Sequence, residues 1–114
     1  MEFMLVLSED PALIATDQQR QEAVRQTGEY AMSLVASGVL KGGAPLRPVT
    51  EARRIRTRDG SQRILDGPFA ESKEVIAGYF VIEAADLQAA VAIAARCPNA
   101  EFGSVEVREI VPMG

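Results

Sequence analysis

Residues 66–74 read DGPFAESKE, which puts three carboxylates and one ammonium into nine positions. Asp66, Glu71 and Glu74 can accept hydrogen bonds or hold a cation. Lys73 can hold an anionic group of a ligand or pair with a neighbouring carboxylate. Clustered carboxylates perturb one another's proton affinity when they meet in space. Gly67-Pro68 favours a rigid turn, and Phe69 is placed to anchor it. The segment therefore has two readings. It is the rim of a polar pocket, or it is a structural loop in which Asp66 accepts its own amides and Lys73 and Glu74 form ordinary ion pairs.

A second constellation precedes it. Arg53, Arg54, Arg56, Arg58 and Arg63 flank Asp59-Gly60. On a regular strand Arg54, Arg56 and Arg58 share a face. Such a face can bind phosphate or carboxylate through bidentate bonds, with Arg56 the arginine expected nearest a pocket. The plainer reading is a solvated hairpin, or one paired with Glu106 and Glu109 of a second subunit. Tyr79 and Tyr30 can each offer a hydroxyl, though buried tyrosines more often serve packing. Glu106 is a further carboxylate candidate. Cys97, before Pro98 at a helix C-terminus, lacks the electropositive setting of an activated thiolate and is expected to pack in the core.

Composition narrows the chemistry. The chain has no histidine, which removes His-containing zinc sites, His general bases and Ser-His-Asp triads. One cysteine cannot form an intrachain disulfide, in keeping with a reducing compartment. Neither G-x-G-x-x-G nor a Walker pattern occurs, so no nucleotide cofactor is implied, and no cofactor or metal is expected. The formal charge of −4, the absence of Trp and only two tyrosines argue against a nucleic-acid binder. No apolar run reaches a membrane-spanning length, because Glu2, Glu9 and Asp10 interrupt the first. No secretory signal is recognisable, and the cytoplasm is the expected location.

The elements that must position these residues can be read along the chain. At 114 residues and 47% apolar composition, residues 1–114 fit one domain with a modest core. EFMLVLS at 2–8 is apolar on both faces and predicts a central strand. Thr16 and Gln19 have capping-box spacing and open a long helix to Ser37. Val24, Thr27, Ala31, Leu34 and Val35 form its expected inner face. Gly28 inside that helix points to close packing on a sheet, and Gly38 ends it in a left-handed turn. Residues 39–46 predict a short edge strand, because Gly42-Gly43 and Pro45 suit no regular interior strand. Residues 52–58 and 62–65 predict a hairpin about Asp59-Gly60. VIAGYFVIEA at 75–84 predicts a second central strand, with Val75, Tyr79 and Val81 on one face and Ile76, Phe80 and Ile82 on the other. Asp86 caps a helix over 87–97, with Leu87, Ala90, Val91 and Ala94 inward, and Pro98 stops it. SVEVREI at 104–110 alternates, Val105 and Val107 inward.

This order is the split β-α-β repeat of a ferredoxin-like α+β domain with an inserted β-hairpin. Two helices cover one sheet face. Met4, Val6 and the two-sided strand 75–84 favour burial of the other face, and hence a homodimer.

The segment from Arg56 through Pro98, with SVEVREI after it, resembles the YCII-related family in its DGPF branch. The likeness rests on Asp66-Gly67-Pro68-Phe69, the spaced Glu71, Lys73 and Glu74, the Gly78-Tyr79 strand, the opening FMLVLSED, the Gly38-Val39-Leu40 helix exit and the closing Glu106-Val107-Arg108. It covers nearly the whole chain. The resemblance implies a dimeric α+β barrel with a cleft between sheet and helices. Some related proteins are linked to small-molecule breakdown. Enzymes proposed in the wider family use a His-Asp pair. By helix and proline register those positions fall near Thr27 and at Cys97, so neither member is present here. A branch function would instead rest on Asp66, Lys73, Glu74 and Arg56, with Glu71, Tyr79 and Glu106 as further candidates. The expected role is binding of a small polar or anionic molecule in a cleft lined by the DGPF loop, with weak enzymatic activity as an extension of it. The alternative is a non-catalytic structural or regulatory protein whose loop stabilises the dimer. No catalytic residue is assigned.

Overall fold

The computed structural model of the chain describes residues 1–67 and 73–113. Its strands are β1 (Glu2–Glu9), β2 (Leu40–Pro45), β3 (Arg53–Arg58), β4 (Ser61–Asp66), β5 (Val75–Glu83) and β6 (Gly103–Glu109). Its helices are α1 (Asp17–Ala36), α2 (Leu87–Ala94) and the short α3 (Asn99–Phe102).

Four strands make an antiparallel sheet in the order β2-β5-β1-β6. Leaving the hairpin aside, that is the ferredoxin-like order, with the two most apolar strands at the centre. β2 is an edge strand, as its glycines and proline require. The remaining pair, β3 and β4, forms a separate two-stranded sheet. Asp59 and Gly60 both adopt positive φ, 52° and 75°, as a tight hairpin turn demands.

The helices lie on one face of the sheet. Phe3, Leu5 and Leu7 of β1 and Phe80 and Ile82 of β5 meet Tyr30 and Leu34 of α1 and Ala90 and Ala94 of α2. Tyr30 and Phe80 pack edge-on, with centroids 5.8 Å apart. Thr16 and Gln19 complete the capping box, each side chain bonded to the other's backbone amide at 3.1 Å. Asp86 caps α2 by accepting from the Ala89 amide at 2.8 Å.

Several expectations need correction. On α1 the inner stripe is Ala23, Tyr30 and Leu34, while Val24 and Val35 are exposed. The sheet meets α1 along a line displaced from the one that residue hydrophobicity alone selects. On α2, Ala90 and Ala94 are buried, but Leu87 and Val91 are largely exposed. The helix ends at Ala94 rather than at residue 97, and Pro98 starts α3 instead of merely ending α2. On β5, Ile76 pairs with Ser8 and Val75 with Glu9, whereas Gly78 pairs with Leu7. The extra residue, Ala77, is a bulge that inverts the alternation. Ile76 therefore shares the open face with Tyr79 and Val81, not the core face with Phe80.

Candidate functional site

A cavity of about 880 Å³ lies between α1 and the β2–β5 side of the sheet. Its helical wall is Arg20, Ala23, Val24, Thr27, Gly28 and Ala31. These positions recur every three or four residues, so they form one stripe of a helix. The opposite wall is β2 with the first half of β5. Both walls include small residues: Ala23, Gly28 and Ala31 on the helix, and Gly42, Gly43, Ala44 and Gly78 on the sheet. A side chain built at Gly28 would meet nothing within 4 Å. Gly28 therefore serves an open space, not the close helix–sheet packing expected from the sequence.

The polar groups of the wall fall into two sets. Deep in the fold, Asn99 is 3% exposed. Its Oδ1 accepts from the Thr27 hydroxyl at 3.4 Å and from the Cys97 thiol at 3.7 Å. Thr27 and Cys97, the two positions where the wider family's His-Asp pair would fall, thus converge on one amide oxygen. Burial raises the Cys97 thiol's pKa, partly offset by a hydrogen bond to its sulfur from the Asn99 backbone amide. The thiol is accordingly held neutral. Burial likewise pushes Tyr30 up to about 12, and its hydroxyl donates to the Ile93 carbonyl at 2.7 Å.

The charged set consists of Arg20, Lys41 and Arg47 with one carboxylate, Glu9. Arg20 Nη1 stands 3.0 Å from Glu9 Oε1, and Arg47 pairs with Glu51 at 2.9 Å. Both arginines of the lining are thus ion-paired, and Lys41 acts on Glu83 of β5. The cavity is an apolar slot with two ion-paired arginines, Arg20 and Arg47, in its lining.

The DGPF segment reaches this site from its two described ends. At one end Gly67 donates its amide to the Ala52 carbonyl at 2.8 Å. A Cβ at Gly67 would lie 2.4 Å from the carbonyl oxygen of Val49, a lining residue, so only glycine fits this approach. Asp66 accepts from Arg53 Nε at 3.0 Å on the exposed hairpin. At the other end Lys73 Nζ lies 3.3 Å from Asp10 Oδ2, and Glu74 accepts from the Ser104 hydroxyl. The chain then enters β5 through Val75, which lines the cavity. Pro68, Phe69 and Glu71 lie outside the described residues.

The remaining candidates sit elsewhere. Arg56 is on the hairpin, directly across from Arg63 and exposed. Glu106 pairs with Val6 and is exposed on the open sheet face. Tyr79 borders the cavity, while by register its side chain stands on the open face beside Val6. Sequence reasoning brought forward the DGPF residues and missed Arg20, Lys41, Arg47 and Asn99. The signal available for Arg20 and Thr27 was their shared helical stripe with Gly28.

The fold and cavity define an α+β domain of ferredoxin-like topology with a binding slot between its first helix and its sheet. The chain belongs to the YCII-related family: the model of the YCII-related domain matches residues 1–114. An uncharacterized protein of Rhizobium meliloti (strain 1021) is 34% identical over 95 residues, covering 82% of this chain and 77% of the relative. In structure, the chain is similar to the 5-chloro-2-hydroxyhydroquinone dehydrochlorinase of Burkholderia phenoliruptrix AC1100, solved in complex with 2,5-dihydroxybenzoquinone. That match has a TM-score of 0.56 at 15% identity and covers 97% of this chain and 94% of the other. At that identity the likeness concerns the fold.

Proposed function

We propose that this protein binds a small organic anion with an apolar, ring-sized body in the cavity between α1 and β2–β5. The observation that carries this reading is the lining: alanines and glycines stand beside two guanidinium groups, Arg20 and Arg47, whose partners in the free protein are the carboxylates of Glu9 and Glu51. A slot of about 880 Å³ falls in the range of small-molecule sites. The apolar walls bury the body of the ligand, and a guanidinium gives its anionic group a bidentate partner. Thr27 and Asn99 offer a polar contact at the buried end. The dehydrochlorinase neighbour, solved with a small cyclic quinone, is in keeping with a ligand of this size. Beside Val75 of the lining, Lys73 pairs with Asp10 and Glu74 accepts from Ser104. The protein works as a cytoplasmic homodimer whose open sheet faces, bearing Met4, Val6, Tyr79 and Val81, pack together in a barrel. Binding of benzoate, measured by calorimetry on the wild type and on Arg20→Gln, tests the site. Loss of affinity in the variant supports it, and equal affinity in the two proteins removes Arg20 from it.

A second reading has its own support. Asp66, Lys73 and Glu74 all make bonds within the chain, to Arg53, Asp10 and Ser104. On that reading the loop is an architectural strap and the protein a non-catalytic partner. Lys73→Ala separates the two: a strap loses stability or dimerisation, whereas a rim residue alters ligand affinity in a protein that stays folded and dimeric.

A further inference from the structure

The hairpin of β3 and β4 stands apart from the body. Its strands pack on each other and make only sparse contacts with any other described element. The molecule is flat, 46 × 44 × 18 Å, with a radius of gyration of 15.9 Å, against about 13 Å for a compact chain of this length. A two-stranded hairpin alone in water is marginal at best.

Its two faces are chemically distinct. Ile55 and Ile64 are direct cross-strand partners, 63% and 64% exposed. On the other face Arg56 stands opposite Arg63, a like-charged pair that destabilises a hairpin unless anions answer it. Residues 53–66 hold five arginines against Asp59 and Asp66, a formal +3. Since the whole chain is −4, everything outside the hairpin sums to −7. On the open sheet face Glu2 stands opposite Glu83, which is paired with the Met1 amine, and Glu106 lies on the same face as Arg108.

We propose that the β3–β4 hairpin is a docking arm that inserts into a second copy of this chain, with Ile55 and Ile64 buried on one of its faces while Arg56 and Arg63, on the other, reach carboxylates of that copy. The occupant follows from the charges. A basic arm with one exposed isoleucine pair and a body of formal charge −7 are complementary, and both are supplied by the same molecule. In a two-fold dimer each copy gives one arm and receives one. This inference rests on the homodimer proposed above and adds the element that grips it. The order of events follows as well: opposite charge steers encounter, and the isoleucine pair holds the complex once formed.

Sedimentation equilibrium on the full chain tests it, using wild type, the double variant Ile55→Ser/Ile64→Ser and the double variant Arg56→Glu/Arg63→Glu, with circular dichroism to confirm that each is folded. The expected result is a wild-type dimer and a dissociation constant raised at least about tenfold in each variant, the size of effect that loss of buried anchor residues produces. Wild-type association weakens with added salt, and the glutamate variant loses that dependence. A wild-type dimer whose variants dissociate no more readily overturns the arm and leaves the sheet-face dimer standing. A wild type that is monomeric throughout overturns both. Unchanged dimerisation together with arginine-dependent retention on a polyanion resin gives the arm to an anionic partner instead, and also overturns the proposal.

Discussion

Lys73 Nζ lies 3.3 Å from Asp10 Oδ2, with the lysine side chain 81% exposed and the aspartate side chain 8%. The two partners are therefore unequal. Asp10 also caps the turn at Pro11–Leu13 by accepting from the Ala12 amide at 3.0 Å, and its own amide donates to the Phe102 carbonyl. An exposed lysine contributes little to such a pair, within about 1 kcal/mol. Removal of a buried capping carboxylate costs about 1–2 kcal/mol. Urea unfolding should show Asp10→Ala clearly less stable than Lys73→Met. Equal losses would mean that the ion pair, and not the cap, supplies the stability.

Gly28 gives an independent handle on the cavity. Glycine inside a helix costs roughly 0.5–1 kcal/mol relative to alanine, and a Cβ here meets no neighbour. Gly28→Ala should therefore raise stability by about that amount. Gly28→Leu should leave the protein folded and lower benzoate affinity by filling the slot. A destabilised alanine variant would place Gly28 in tight packing after all.

Alkaline pH should weaken the fold through Cys97 and Tyr30. Burial raises both pKa values, so the folded state keeps these protons longer than the unfolded chain. Stability is undiminished below about pH 8.5, the unfolded value of a thiol. It falls as pH rises through that value toward the raised Cys97 pKa, and again between the unfolded tyrosine value and about 12 for Tyr30. Cys97→Ala should flatten the first part of the decline, and Tyr30→Phe the second. The buried thiol should also react with a disulfide reagent far more slowly in the native protein than in urea. Fast native reaction would place Cys97 at the surface.

The sheet was largely legible in the sequence, because its signals are local. Two-sided apolar strands mark β1 and β5, the capping box marks α1, and Asp59-Gly60 marks the hairpin. The errors arise where tertiary geometry decides. The bulge at Ala77 carries no composition signal, yet it moves Ile76 to the other face. Val24 looks like a core residue by spacing, but the sheet leaves a gap under that part of α1. The same gap makes the candidate site, and it brings together Arg20, Lys41, Arg47 and Asn99 from four separate stretches of chain. The DGPF segment was conspicuous because its charges are adjacent in sequence. Its described charges are tied to the frame around the cavity: Asp66 to Arg53, Lys73 to Asp10 and Glu74 to Ser104.

Arg20 ties the cavity's charge to its ligand. Its pair with Glu9 is half exposed on the arginine side, which leaves the guanidinium able to exchange that partner for a ligand carboxylate. Arg20→Gln should weaken benzoate binding about tenfold, the scale of one charge-assisted bond. Glu9→Gln should strengthen it by releasing the guanidinium.

The most direct measurement compares two ligands of similar shape, one anionic and one neutral. Benzoate and neutral benzyl alcohol are titrated into the wild-type protein by calorimetry, and each again into Gly28→Leu. Benzoate should bind the wild type more tightly than benzyl alcohol, added salt should narrow the difference, and Gly28→Leu should abolish both. Equal affinity for the two ligands, or benzoate binding that survives Gly28→Leu, would contradict an anion site in the cavity between α1 and β2–β5.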